Sequence, residues 1–118
     1  VQTCALPIFI VVAAPAIRSI MHGWRADARS TDDILSGRAN FDAGAIRDVL
    51  KRYATDSGRI VAEVNGQTPA AHEFKRRFMA FQADAQTALG HLESRPALQA
   101  DFSRLMSDCR SCHDTFKN

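Results

Sequence analysis

From Ile17 onward the apolar positions recur every three to four residues, the period of helices that each bury one face. The first stripe reads Ile17, Ile20 and Met21, Trp24, Ala28, Thr31 and Leu35, and Gly37 just beyond it is placed to end a helix in the left-handed conformation. A second helix is predicted from Asp42, a good N-cap residue, through Ile46, Val49, Leu50, Tyr53, Ile60 and Val64 to Asn65-Gly66. Gly58 inside it costs about 1 kcal/mol against alanine, which points to a bend or a close approach to a neighbour. The third helix starts after Thr68-Pro69, an N-cap and N1 pair, and carries Phe74, Phe78, Phe81, Ala85, Leu89 and Leu92. The fourth follows Ser94-Arg95-Pro96 with Leu98, Phe102, Leu105, Cys109, Cys112 and Phe116. Connections at 37–41, 66–68 and 93–95 are too short for anything but antiparallel neighbours. The predicted fold is therefore all-α, an antiparallel up-down-up-down four-helix bundle. No alternating run competes as a strand, and no internal repeat or low-complexity segment interrupts the pattern.

The chain has 118 residues, 46% of them hydrophobic, which suits one domain with one core. A net charge of +2 with interleaved signs (Arg25, Asp27, Arg29, Asp32, Asp33) describes solvated helix faces. It offers no basic tract or aromatic-basic alternation for nucleic acid. No Ser/His/Asp arrangement, paired-carboxylate pocket or glycine-rich phosphate loop is present, so hydrolase and transferase readings have no support and an enzyme is not expected.

The chemistry lies near the C-terminal end, in Cys109-Arg110-Ser111-Cys112-His113. This C-x-x-C-H spacing is the one by which c-type haem is attached: two thiols add to the haem vinyl groups and the imidazole becomes an axial iron ligand. At 100° per residue the three side chains fall at about 0°, 300° and 40°, on one helix face, so one porphyrin can meet all of them. A haem c, one per chain, is the expected cofactor. Zinc would need two further ligands, yet there is no second C-x-x-C and no H-x-x-x-H, and His22, His72 and His91 are scattered. A thioredoxin-like dithiol should open a helix after a strand, whereas this one closes an all-helical chain. A disulfide between Cys109 and Cys112 would be strained inside a regular helix.

The first residues read differently. Val1-Gln2-Thr3-Cys4-Ala5-Leu6-Pro7-Ile8 is the translation of GTT CAG ACG TGT GCT CTT CCG ATC, which looks like a common sequencing-adapter end, so residues 1–8 are expected to be an artefact and Cys4 carries little weight. Nucleotide reads that continue into ordinary coding sequence across this junction would refute that expectation. Residues 9–16 read as the end of a secretory signal, an apolar run closing in Ala14-Pro15-Ala16, or else as the first turns of the first helix. The run is too short to span a membrane. Residues 17–118 are expected to form the bundle, and attachment of haem to C-x-x-C-H is expected in an exported, periplasmic compartment.

A C-x-x-C-H in the last helix of a four-helix bundle resembles the class II c-type cytochromes, the cytochrome c′ family. Two segments carry the resemblance: Asp108-Cys109-Arg110-Ser111-Cys112-His113-Asp114-Thr115-Phe116-Lys117, similar to the family's terminal motif, and Ile34-Leu35-Ser36-Gly37-Arg38-Ala39-Asn40-Phe41-Asp42, similar to its bend between the first two helices. The family's final arginine is Lys117 here, which offers a haem propionate a point charge in place of a fork. The resemblance implies His113 as the proximal ligand and a side chain of the first helix on the other face of the haem. Ungapped counting from Gly37 and Phe41-Asp42 puts that distal position on Met21. Periodicity agrees, with Met21 about 40° from Ile17 and His22 about 140° away. If Met21 ligates, the haem is six-coordinate and low-spin, and the protein is a carrier that exchanges electrons with redox partner proteins. If Met21 only packs, the iron is five-coordinate and open to a small gas such as NO or CO. The family's propionate-binding arginine on the first helix is matched by Arg18, one residue off the family's spacing, or by Arg25. Trp24, Phe78, Phe81, Phe102 and Phe116 are expected in the core or at the haem edge, and His72 and His91 as exposed helix residues. Family members often dimerise through their first two helices, which makes a homodimer one expected state.

Overall fold

A computed structural model describes residues 14–116. They form four helices in sequence: α1 (Ala14–Leu35), α2 (Ala43–Glu63), α3 (Pro69–Leu89) and α4 (Arg95–Phe116). No β-strand forms among the described residues. Residues 1–8, expected to be an artefact, residues 9–13 of the apolar run, the Phe116 side chain and Lys117 lie outside what is described.

Local chemistry starts and stops each helix where the pattern requires. Asp42 caps α2 by accepting from Ala45 N at 3.0 Å, and Thr68 caps α3 by accepting from Ala71 N at 3.1 Å. Each such cap contributes about 1 kcal/mol. Ser94 Oγ accepts from Ala97 N at 3.3 Å and opens α4. Gly37, with φ 88°, takes the left-handed turn that ends α1. The carbonyls left over at that end are met from across the bundle: Gln99 donates to Leu35 O at 2.9 Å, and Arg95 reaches the carbonyls of Ile34 and Leu35.

That tie fixes the register of α1 against α4. Met21 and His113 each lie fourteen residues from it along antiparallel helices, about 21 Å at 1.5 Å per residue, so they arrive at the same level. On the other flank, Trp24 Nε1 donates to Asp56 Oδ2 at 3.1 Å and Arg52 forks onto Asp27, locking α1 to α2. Gly58 is the close approach its sequence position suggested: a Cβ there would sit 3.2 Å from Gln82 Nε2, whose amide donates to Ala54 O at 2.8 Å and joins α2 to α3. Of the neighbouring pairs, α1 and α4 touch least, which leaves a cleft between them that runs from about one turn beyond the Leu35 tie to Met21 and His113.

Two details differ from the sequence expectation. The third helix stops at Leu89, three residues before Leu92, because Gly90 and His91 turn back to bond Thr87 O and Ala88 O. His91 is consequently not a helix residue: its ring meets the Asp101 carboxylate at 2.6 Å, and Arg104 takes the other Asp101 oxygen at 3.0 Å. Asp101 is only 4% exposed, and a buried carboxylate needs such partners.

The core runs along the bundle axis through Ile17, Ile46, Leu50, Phe74, Leu98 and Leu105. Leu105 has 0% exposure, so Leu105→Ala should cost about 2–5 kcal/mol. Urea unfolding of the whole protein checks this, with the midpoint falling and the slope unchanged.

Candidate cofactor site

The cleft between α1 and α4 has a volume of about 450 Å³, within the roughly 300–1,000 Å³ range of cofactor sites. Met21, Trp24 and Ala28 form its α1 wall; Phe102, Met106, Cys109 and His113 form its α4 wall, and Tyr53 borders it from α2. A second hollow of about 30 Å³ adjoins it and is bordered by Phe78, Phe81 and Cys112. Met21, Trp24, Cys109 and His113 line both. The fold therefore brings the C-x-x-C-H residues and the distal candidate to one space.

Each of these side chains is placed by helical phase. Met21 is 8% exposed on the stripe that Ile17 and Trp24 continue, whereas His22, one residue on, is exposed and points away. Trp24 is held by its bond to Asp56 and by aromatic neighbours, stacking on Phe81 with centroids 5.0 Å apart and meeting Tyr53 edge-on at 5.2 Å. Cys112 is buried and Cys109 half-buried, and neither is in a disulfide among the described residues. Burial, reinforced by Cys112 and Asp108, pushes the Cys109 thiol up to about 12, so it stays protonated and neutral. Burial likewise holds His113 below its ordinary range; Arg25 adds to this and Asp114 opposes it. A neutral imidazole is the form that ligates a metal.

Behind the cysteines, Arg77 donates to Ser111 Oγ at 2.6 Å and to Glu73 at 2.8 Å, pinning α3 to the motif helix. Asp108 also faces α3. Its Oδ2 is shut away from solvent with no hydrogen-bond partner, and the Asp108 carboxyl interacts with that of Asp84, an acceptor unless one of the two carries a proton. Burial and then Asp84 raise Asp108 to about 7, against 3.8 for a free carboxyl, while Arg104 and Arg77 pull the other way. An acid raised in the folded state adds stability that is full below about pH 4 and is lost as pH rises through about 7. Asp108→Asn should therefore flatten the fall in urea midpoint between pH 4 and 7.

The arginines divide. Arg25 lines the cleft, as do Arg29 and Arg110, which sequence reasoning did not single out; Arg18 is exposed and is not among the residues that line the cleft. Arg29 lies one turn beyond Arg25 on the same flank of α1, a relation visible in the sequence, but Arg110 and the Asp84–Asp108 pair depend on how α4 is turned against its neighbours. Among the described residues no group of three or more His, Cys, Asp or Glu converges as a bare metal site.

The residues present fit a haem. Two thiols one helical turn apart and a neutral imidazole share one wall, a buried thioether stands on the other, and aromatic side chains line the space between. Comparison with known proteins points the same way. The chain is 28% identical over 97 residues to the cytochrome c′ of Rhodopseudomonas palustris, covering 71% of this chain and 66% of that protein, just under two thirds of its length. No protein-family model matches the chain, and no solved structure matches it.

Proposed function

We propose, from its similarity to a cytochrome c′, that the chain is a class II c-type cytochrome: a periplasmic electron-transfer protein carrying one haem c, with His113 and Met21 as axial ligands. The coarser reading, a haem c cytochrome that transfers electrons or binds gas, rests on the homology. The finer one rests on a single observation: Met21 and His113 line the same cleft from opposite helices, at a level set by the Gln99–Leu35 tie.

When bound, the haem supplies one-electron chemistry at a potential that a thioether ligand raises. The protein's own residues do the rest. Cys109 and Cys112 anchor the group covalently, so it cannot be lost by dissociation. His113 presents a neutral nitrogen from a helix that Arg77 holds in place through Ser111. Met21 closes the opposite face, while Trp24, Phe78 and Phe102 exclude water and so keep the local dielectric low. Arg25, which lines the cleft, would meet a propionate. Among the described residues no helix is long and apolar enough to cross a membrane.

The test is to express the chain behind a bacterial export signal together with the c-type maturation system. The expected product retains haem through a denaturing gel, stains for it, and shows narrow low-spin bands. Protein that folds but carries no covalent haem would contradict the proposal.

A further inference from the structure

The chain's charges are not spread evenly. Of its twelve arginines, Arg38, Arg47, Arg52, Arg59, Arg76, Arg77 and Arg104 each pair with a carboxylate. Arg95 is engaged by the α1 carbonyls and lies over the Phe41 ring at 5.4 Å. The remaining four, Arg18, Arg25, Arg29 and Arg110, have no ion pair among the described residues. Three of the four share one place, and the fourth continues their row along α1. Arg25, Arg29 and Arg110 line the α1–α4 cleft, and Arg18 lies seven residues before Arg25 on the same stripe of α1.

This concentration sets the electrostatic character of the whole molecule. Without these four, the chain's remaining eleven Lys and Arg are outnumbered by its thirteen Asp and Glu. The protein is thus dipolar, with its positive pole at the mouth of the cleft. Of the carboxylates nearby, Asp32 shares Arg38 with Asp33, which leaves that trio one negative charge, and Asp114 is exposed on α4. Two haem propionates, Asp114 and the Asp32–Asp33–Arg38 trio would offset the four guanidiniums, and the ferric porphyrin core would add one positive charge, so the mouth of the oxidised protein would stay net positive. A low-dielectric cleft rimmed by one sign of charge focuses its field outward and raises encounter rates with oppositely charged partners by 10-fold or more.

We propose that this basic mouth is the docking surface for an acidic electron-transfer protein. The inference rests on the haem reading above and adds the chemistry of the partner. The exchange is one electron from the reduced partner to the ferric cytochrome, with no bond made or broken and no proton moved.

The test uses the haem-loaded protein and two reductants: a plant-type [2Fe–2S] ferredoxin, as an acidic donor protein, and hexaammineruthenium(II), as a small cation. In stopped-flow reduction the ferredoxin rate should fall steeply as salt rises toward 0.1 M, where charges are screened beyond about 10 Å. The ruthenium rate should rise over the same range. Arg29→Glu/Arg110→Glu should lower the ferredoxin rate at low salt about 10-fold or more and remove most of its salt dependence. Arg47→Glu/Arg76→Glu makes the same change in net charge away from the mouth and should leave that rate within about 2-fold. The inference is overturned if the wild-type rate ignores salt, or if both double variants slow the reaction equally, since net charge alone would then account for it. Protein lacking covalent haem would overturn the haem reading as well, an outcome seen before any rate is measured.

Discussion

Replacing both Cys109 and Cys112 with alanine is expected to take covalently bound haem from one per chain to none. The two thiols lie one turn apart on the inner face of α4, and no third described cysteine exists to substitute for either. The single variants should each keep one thioether attachment and a weaker haem stain, because the neighbouring thiol and His113 stay on the same wall. The backbone of α4 is unaffected by alanine, a strong helix former, so secondary structure by circular dichroism should be nearly unchanged in all three. Haem staining after denaturing electrophoresis measures the first effect directly. A double variant that still stains would remove the motif from the account.

The second large effect is at Met21. Leucine in its place conserves volume but has no sulfur, so Met21→Leu should cost less than about 1.5 kcal/mol while turning the haem from low-spin to high-spin. Met21→Ala should make the same spectral change and cost more, about 2–5 kcal/mol, because the side chain is nearly fully buried. Both variants should bind CO readily in the reduced state. His22→Ala, on the exposed side of α1, should change neither spectrum nor stability. Using the two Met21 variants together separates ligation from packing: a purely structural methionine would show the stability loss with alanine and no spectral change with leucine.

Most of the bundle was legible because each helix carries its own instructions. The stripe from Ile17 to Leu35, the caps at Asp42 and Thr68 and the left-handed turn at Gly37 are local, and the structure uses all of them in the roles their residue types suggest. The burial of Met21 and the exposure of His22 follow from phase alone, since one residue is a 100° step. What the sequence hid depends on one helix meeting another. His91 lies in a turn because the buried Asp101 draws its ring in, and Asp101 cannot be told from an exposed aspartate by local pattern. The Asp84–Asp108 contact and the placement of Arg110 at the cleft depend on how α3, α4 and α1 are rotated against each other. The unpaired state of the four arginines at or beside the cleft emerges only once every other arginine is matched with its carboxylate.

The most direct test of the central claim, a haem held between His113 and Met21, is the visible spectrum of the matured, reduced protein before and after exposure to CO. Narrow low-spin bands that CO leaves unchanged are the predicted result. Broad high-spin bands that shift at once with CO would contradict it, leaving Met21 as packing and the iron with His113 alone.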